Sequence, residues 1–189
     1  MSNEAHSPYL PIPMHVLHAY YESTDHSLKT LELSFDDPQD AREFFAAFNP
    51  GQFCMLSVIG KGESALGVAS AAWEGDFVRF TAQKMGSVTT ALHELNPGDP
   101  IGMRGPLGNG FPLEDWKGKN LVIIGGGCAF STLYALTKHL HHPSNRGDYG
   151  KLTIIYGTRT SGLCMYKQDI AAWHQRDDME VHQAIDVPE

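Results

Sequence analysis

The chain has 189 residues, 42% of them hydrophobic, which is enough for one sizeable core or two small ones and excludes a disordered polymer. A formal net charge of −8, with only 14 Lys and Arg spread thinly, argues against a nucleic-acid groove or an anionic membrane surface as partner. No stretch approaches the roughly 20 uninterrupted apolar residues of a membrane span. The start "MSNEAHSPYLPIP" has neither the basic nor the apolar part of a signal peptide, so a cytoplasmic protein is expected.

In chain order, "MHVLHAYYES", "LKTLELSF", "QFCMLSVI", "SALGVASAAW" and "FVRFTAQKM" read as strands, being rich in β-branched and aromatic residues and separated by turn formers. Their spacing predicts a small antiparallel barrel or sandwich. "DDPQDAREFFAAF" interrupts them as a short helix, with Asp37 as cap, Pro38 as first helical residue and Phe44, Phe45 and Phe48 turned to the core. "SVTTALHEL" predicts a second helix, capped by Ser87, with Val88, Leu92 and Leu95 on one face. "PIGMRG" reads as the last barrel strand, and a Gly- and Pro-dense loop then leads to a boundary near Trp116 to Lys119.

Beyond that boundary the pattern changes to strand, helix, strand, helix, strand. "NLVII" is followed by a helix through Leu133, Leu136 and Leu140 that Pro143 stops, then "KLTIIYG", a helix carrying Tyr166, Ile170 and Trp173, and "MEVHQAI". This order predicts parallel strands with crossover helices. Cys54, Cys128 and Cys164 are far apart and form no Cys-x-x-Cys pair, so they read as buried free thiols rather than disulfide, zinc or iron-sulfur ligands. His139 and His142 fall in a last helical turn, where the helix dipole favours imidazolium, and read as solvated capping groups rather than metal ligands. No nucleophile stands in a recognisable elbow, so hydrolytic chemistry has no support and no catalytic side chain is assigned.

Two corners are candidates for holding a phosphate, because backbone N–H groups at a helix start face an anion and glycine lets it approach closely. In "LVIIGGGCAFSTLYALTKHLHH" the triplet Gly125, Gly126, Gly127 supplies that clearance, but the Gly-x-Gly-x-x-Gly fingerprint is only partly met. Phe130 stands where the helix should pack closest, and "YGTRT" offers Arg159 where an acidic ribose partner is usual. Cofactor turn and tight corner remain two readings of this stretch. In "GSVTTAL", Gly86 followed by the N–H groups of Ser87 to Thr89 and the Ser87 and Thr89 hydroxyls makes a cradle for a pyrophosphate; the alternative is an ordinary Ser-capped helix.

Taken together, "NPGQF", "GKGESALGVAS", "GSVTTALHELNPGD", "GMRGPLGNGFPL", "LVIIGGGCAFSTLYAL" and "YGTRTSGLCMYKQDIAAW" resemble the ferredoxin-NADP reductase superfamily, from roughly Pro50 onward and in the right order. Within it, they resemble the FAD/NAD(P)-binding subunits of anaerobic sulfite reductases and the gamma subunits of sulfhydrogenases, which are related to the dihydroorotate dehydrogenase electron-transfer subunit. The resemblance implies a tail over 1–13, an N-terminal antiparallel six-stranded Greek-key β-barrel holding FAD over 14–115, and a shortened α/β parallel-sheet NAD(P)-binding domain over 119–189. It implies an electron-transfer subunit moving electrons between a nicotinamide nucleotide and a partner redox subunit, with the flavin as the two-electron to one-electron pivot. By position, Gly86, Ser87, Val88 and Thr89 would cradle the FAD pyrophosphate, and Ser64, Ala65, Leu66, Gly67 and Val68 would line the isoalloxazine. Gly126 and Gly127 would meet a weakly bound nicotinamide nucleotide, with Gly157 to Arg159 beside its adenosine end.

The chain departs from the pattern in three places. A Ser or Thr hydroxyl that faces flavin N5 is absent at Gly67. The Gly-Gly-x-Gly-x-Ala-Pro turn has become Gly126, Gly127, Cys128, Ala129, Phe130, Ser131, Thr132, which replaces its third Gly and its Pro. Further strands, a Cys-Gly-Pro-Pro segment and a four-cysteine cluster motif do not follow, which implies either a truncated piece or a shortened relative, without an iron-sulfur centre. Two alternatives accompany the leading reading: a non-catalytic reductase-like assembly subunit that has lost one or both cofactors, and a free-standing flavin reductase.

Overall fold

Alternating inward and outward residues fold the first half into a curled antiparallel sheet in a computed structural model that describes residues 9–187. Its elements are β1 (Ile12–Tyr21), β2 (Leu28–Phe35), α1 (Pro38–Ala47), β3 (Phe53–Val58), β4 (Gly62–Gly67), β5 (Val78–Gln83), α2 (Ser87–Glu94) and β6 (Pro100–Leu107). Six strands lie in the order β4-β3-β6-β1-β2-β5, every pair antiparallel, and the edge strands β4 and β5 touch to close the barrel. Leu31, Leu33, Leu56, Phe80 and Met103 fill its interior. As the sequence predicts, the Asp37 carboxylate accepts from Gln39 N–H at 2.8 Å, Pro38 opens α1, and Phe44 seats against Phe35 with ring centres 5.5 Å apart.

Two details of this half differ from expectation. β1 already includes Ile12 and Pro13, which pair with Met103 and Gly102, while residues 1–8 of the expected tail lie outside the described residues. The strand expected over "SALGVASAAW" ends at Gly67, because Val68 N–H turns to the Gln52 carbonyl at 3.2 Å and Ala69 N–H to Arg79 at 2.8 Å. The chain leaves the edge of the sheet there and makes a short 3-10 turn at Ala72–Glu74.

The second half is β7 (Leu121–Gly126), α3 (Phe130–His141), β8 (Leu152–Thr158), α4 (Lys167–Trp173) and β9 (Met179–Ile185), with β7, β8 and β9 parallel and adjacent in that order. One face of the sheet buries Ile123, Ile154 and Tyr156 under Phe130, Tyr134 and Leu140. On the other, Val122 and Ile124 stay 62% and 68% exposed. Tyr166 precedes α4 rather than lying in it and adopts a left-handed φ of 52°. The barrel holds it there: its N–H donates to Glu22 Oε2 at 2.8 Å, and its hydroxyl meets Thr81 Oγ1 at 2.5 Å.

A polar seam joins the halves. Arg79 on β5 bonds Glu32 at 2.9 Å and Glu74 at 3.1 Å, and Lys138 on α3 reaches the same Glu74 at 2.6 Å. Tyr134 on α3 donates to Asp169 on α4 at 2.6 Å. Leu28 and Ala69 of the barrel complete the apolar core of the α/β half. Burial works against the Arg79 charge, but Glu74 and the other acidic neighbours outweigh it and hold the guanidinium above its ordinary value.

Candidate cofactor site

Gly86 turns the chain from β5 into α2 with extended backbone (φ −142°, ψ −174°), and no atom lies within 4 Å of where a Cβ would stand. The first backbone bond of α2 runs from Thr90 N–H to the Gly86 carbonyl at 2.8 Å, which leaves the N–H groups of Ser87, Val88 and Thr89 open at the helix start. Ser87 does not cap the helix; it is the first helical residue and exposed. Gly86 is the N-cap, and Thr89 ties the preceding turn from inside the helix, its hydroxyl accepting from Met85 N–H and Gly86 N–H at 2.9 Å each. Thr89 thus fixes the shape of the corner, and its hydroxyl is taken up by the chain itself.

β4 links this corner to the α/β half. A Cβ on Gly62, at its start, would lie 3.5 Å from Val88 Cγ2 of α2, and Gly67, at its end, lies against Thr132 of α3. At about 3.4 Å per residue the strand spans roughly 17 Å between the two helix starts. Ser64 and Leu66, paired with the fully buried Leu56 and Cys54, are half-buried, and Ala65 is exposed. The Val68 side chain is fully buried in the barrel core, so only its backbone is available to a ligand.

The three glycines after β7 divide between two tasks. A Cβ on Gly125 would come within 2.6 Å of Leu133 Cδ1 and 2.9 Å of Phe130 Cδ2, so Gly125 is the close-packing position. Phe130, bulky where the fingerprint wants glycine, is fully buried, stacked 4.1 Å from Tyr156. Gly126 pairs with Gly157 across the strands, and Gly127, at φ 52°, has nothing within 4 Å of a would-be Cβ. Gly125 is therefore the tight corner, and Gly126 and Gly127 leave the space beside it open.

Gly126, Gly127, Gly157 and Arg159 line one cleft of about 450 Å³ at the carboxyl ends of the parallel strands, where open α/β sheets bind ligands. Sequence reasoning misses its remaining walls: Leu28 and Gln83 come from the barrel, Leu163 and Asp186 from later in the chain. None carries a local signal, because each is brought in by packing. Arg159 is exposed, and among the described residues no carboxylate lies within ion-pair distance of it, so a local salt bridge does not account for it. Its carbonyl instead accepts from Val187 N–H at 3.0 Å.

Burial pushes the Cys54 thiol up to about 12 and raises Cys128 and Cys164 as well, and all three are free. Burial also lowers His139, so the expected imidazolium at the end of α3 gives way to a neutral ring: desolvation outweighs the helix dipole there. His142 bonds Ser144 Oγ at 2.6 Å and lies 4.7 Å from the Trp73 ring.

A closed antiparallel barrel whose last strands feed a parallel α/β unit, with helix starts from both halves meeting along one barrel strand, defines a class. By fold the chain is ferredoxin-NADP+ reductase-like. No family model matches it. It is 35% identical over 163 residues to the sulfhydrogenase 1 subunit gamma of Pyrococcus furiosus, covering 86% of this chain and 54% of that protein. It is 36% identical over 135 residues to a probable dihydroorotate dehydrogenase B (NAD(+)) electron transfer subunit of Thermococcus kodakarensis, covering 69% and 52%. The chain thus spans about half the length of these relatives. Among solved structures it resembles a ferredoxin-NADP+ reductase from Plasmodium falciparum (TM-score 0.75, 16% identity, 93% of this chain and 70% of that one). It also resembles the ferredoxin reductase in carbazole 1,9a-dioxygenase (TM-score 0.73, 23% identity, 92% and 49%). These two likenesses bear on the fold alone.

Proposed function

We propose that the chain is an FAD-binding electron-transfer subunit that moves electrons between a nicotinamide nucleotide and a partner redox subunit. The observation that carries this reading is the Gly86 corner: three unpaired backbone N–H groups, open space above a glycine and a threonine that locks the turn. These residues fit a diphosphate without any charged side chain, and the exposed Lys61 and Lys84 on the adjoining turns add favourable potential. Bound FAD would supply the chemistry, accepting a hydride and releasing single electrons.

The residues of the chain bind and orient. The N–H groups of Ser87, Val88 and Thr89 donate to diphosphate oxygens, and the Thr89 hydroxyl keeps the Met85 and Gly86 N–H groups satisfied so that the corner does not rearrange on binding. β4 offers Ser64 to Gly67 as the floor for the ring system. Gly126 and Gly127 leave the second cleft open to a nucleotide, and Arg159 offers it an unpaired cation for a phosphate. The Arg79 seam holds the barrel that carries the Gly86 corner against the half that carries this cleft, which matters because hydride transfer requires donor and acceptor in contact.

Purified protein decides the matter. The expected result is a yellow chain that releases stoichiometric FAD on denaturation, or takes it up when FAD is added. A well-folded chain that stays colourless with FAD present overturns the reading and leaves an assembly role, for which the uncovered Val122 and Ile124 face of the parallel sheet is the supporting feature.

A further inference from the structure

Two of the three places where the sequence departs from the reductase pattern meet at one point. Thr132, in the first turn of α3, places its Oγ1 in the space that a Cβ on Gly67 would occupy, with its own Cβ 3.3 Å and Cγ2 3.7 Å from that position. Gly67 is not in a left-handed conformation, so its backbone would accept any residue, and Thr132 alone bars a side chain there. The hydroxyl missing from β4 and the proline missing from α3 therefore fall at one contact: a hydroxyl stands beside the end of β4, delivered from the opposite half of the molecule.

That hydroxyl is also unused. Thr137, one turn further along α3, donates to the Leu133 carbonyl at 2.8 Å as helical threonines do, whereas Thr132 Oγ1 has no hydrogen bond to any described residue. It is half-buried, next to Gly67 on the strand that carries the proposed flavin floor. A ring nitrogen at the reactive edge of a flavin accepts a hydrogen bond when oxidised and donates one when reduced. A hydroxyl serves both states by turning about its C–O bond.

We propose that Thr132 is the flavin-contacting hydroxyl of this protein, supplied to the edge of the isoalloxazine across the seam by α3 instead of by β4. The assignment rests on the FAD reading above, and it makes the flavin site a composite of both halves. It also gives Gly67 a purpose, since any larger residue there would displace the group that replaces it.

The test uses the full chain with FAD and compares wild type with Thr132→Val, Thr132→Ser and Gly67→Ser/Thr132→Ala. Valine keeps the branched shape and removes only the hydroxyl, so the FAD-free melting temperature is expected to stay at the wild-type value. FAD affinity should fall about three- to tenfold, the weight of one hydrogen bond, and the flavin absorbance maximum and midpoint potential should shift. Thr132→Ser should behave as wild type, and the double variant, which returns a hydroxyl from the β4 side, should recover most of the affinity. Bound FAD whose affinity, spectrum and potential ignore Thr132→Val overturns the assignment while leaving the FAD reading intact. A lowered FAD-free melting temperature in Thr132→Val also overturns it, marking the contact as packing. A wild-type chain that takes up no FAD brings down both.

Discussion

The Gly86 and Gly125–Gly127 corners both turn a strand into a helix through glycine, yet they use glycine differently. At Gly86 the backbone is ordinary and the space beyond it empty, so the residue provides clearance and nothing else. After β7, Gly125 is hemmed in by Leu133 and Phe130, and Gly127 alone combines a left-handed φ with open space. A glycine-rich sequence is therefore not evidence of a phosphate site until each glycine is asked what a methyl group would strike. At the Gly86 corner a single glycine leaves open space above three helix-start N–H groups that have no acceptor among the described residues.

The most forceful way to disturb this pair of corners is to cut the seam that spaces them. Arg79→Met leaves the Glu32 and Glu74 carboxylates, 11% and 8% exposed, without their shared cation, and removing one partner of a buried pair costs about 3–5 kcal/mol. Urea denaturation is expected to show that loss, together with easier proteolysis between the halves. A loss below about 1 kcal/mol would mean the seam is solvated like a surface pair.

Next in size is the contrast between the glycines themselves. Gly125→Ala forces a methyl against Leu133 and Phe130 and should cost about 1–3 kcal/mol of unfolding free energy by overpacking. Gly86→Ala meets no atom and should cost less than about 1 kcal/mol, the effect of a poorer cap, while weakening FAD because its methyl enters the ligand's space. Equal stability losses at the two positions, read from urea midpoints, would erase the distinction.

The gentlest probe is pH. His93 in α2 and His139 and His141 in α3 are all lowered from an ordinary value of 6.5, burial being the largest cause in each case, so the fold prefers the neutral rings. The unfolded chain then binds more protons in the window just below 6.5, and stability, fully present above that value, falls as pH drops through it toward the folded values. Unfolding midpoints at stepped pH should show that decline before the carboxylates titrate. A flat profile between about pH 7 and 5 would mean that these rings are hydrated in the fold.

Much of this was legible in the residues. Asp37 and Pro38 opened α1 as read, runs of β-branched and aromatic residues between turn formers located the strands, and the strand-helix order of the second half implied a parallel sheet. The errors share a cause. Ser87 became the first helical residue behind the Gly86 turn that Thr89 ties, Tyr166 was pulled out of α4 by Glu22 and Thr81, and the strand after Ser64 stopped when Gln52 and Arg79 took its backbone bonds. Each was decided by a partner outside the local pattern.

Sequence by itself determined the element order, an antiparallel barrel or sandwich followed by a parallel unit and the two glycine corners, because periodicity and turn chemistry act over a few neighbouring residues. Only the tertiary structure decided which glycines face open space, what walls the cleft beside the parallel strands, and that Thr132 Oγ1 stands where a Cβ on Gly67 would be. Steric exclusion between residues 65 positions apart has no signature until the chain is folded, since it depends on where two side chains stand and not on what they are.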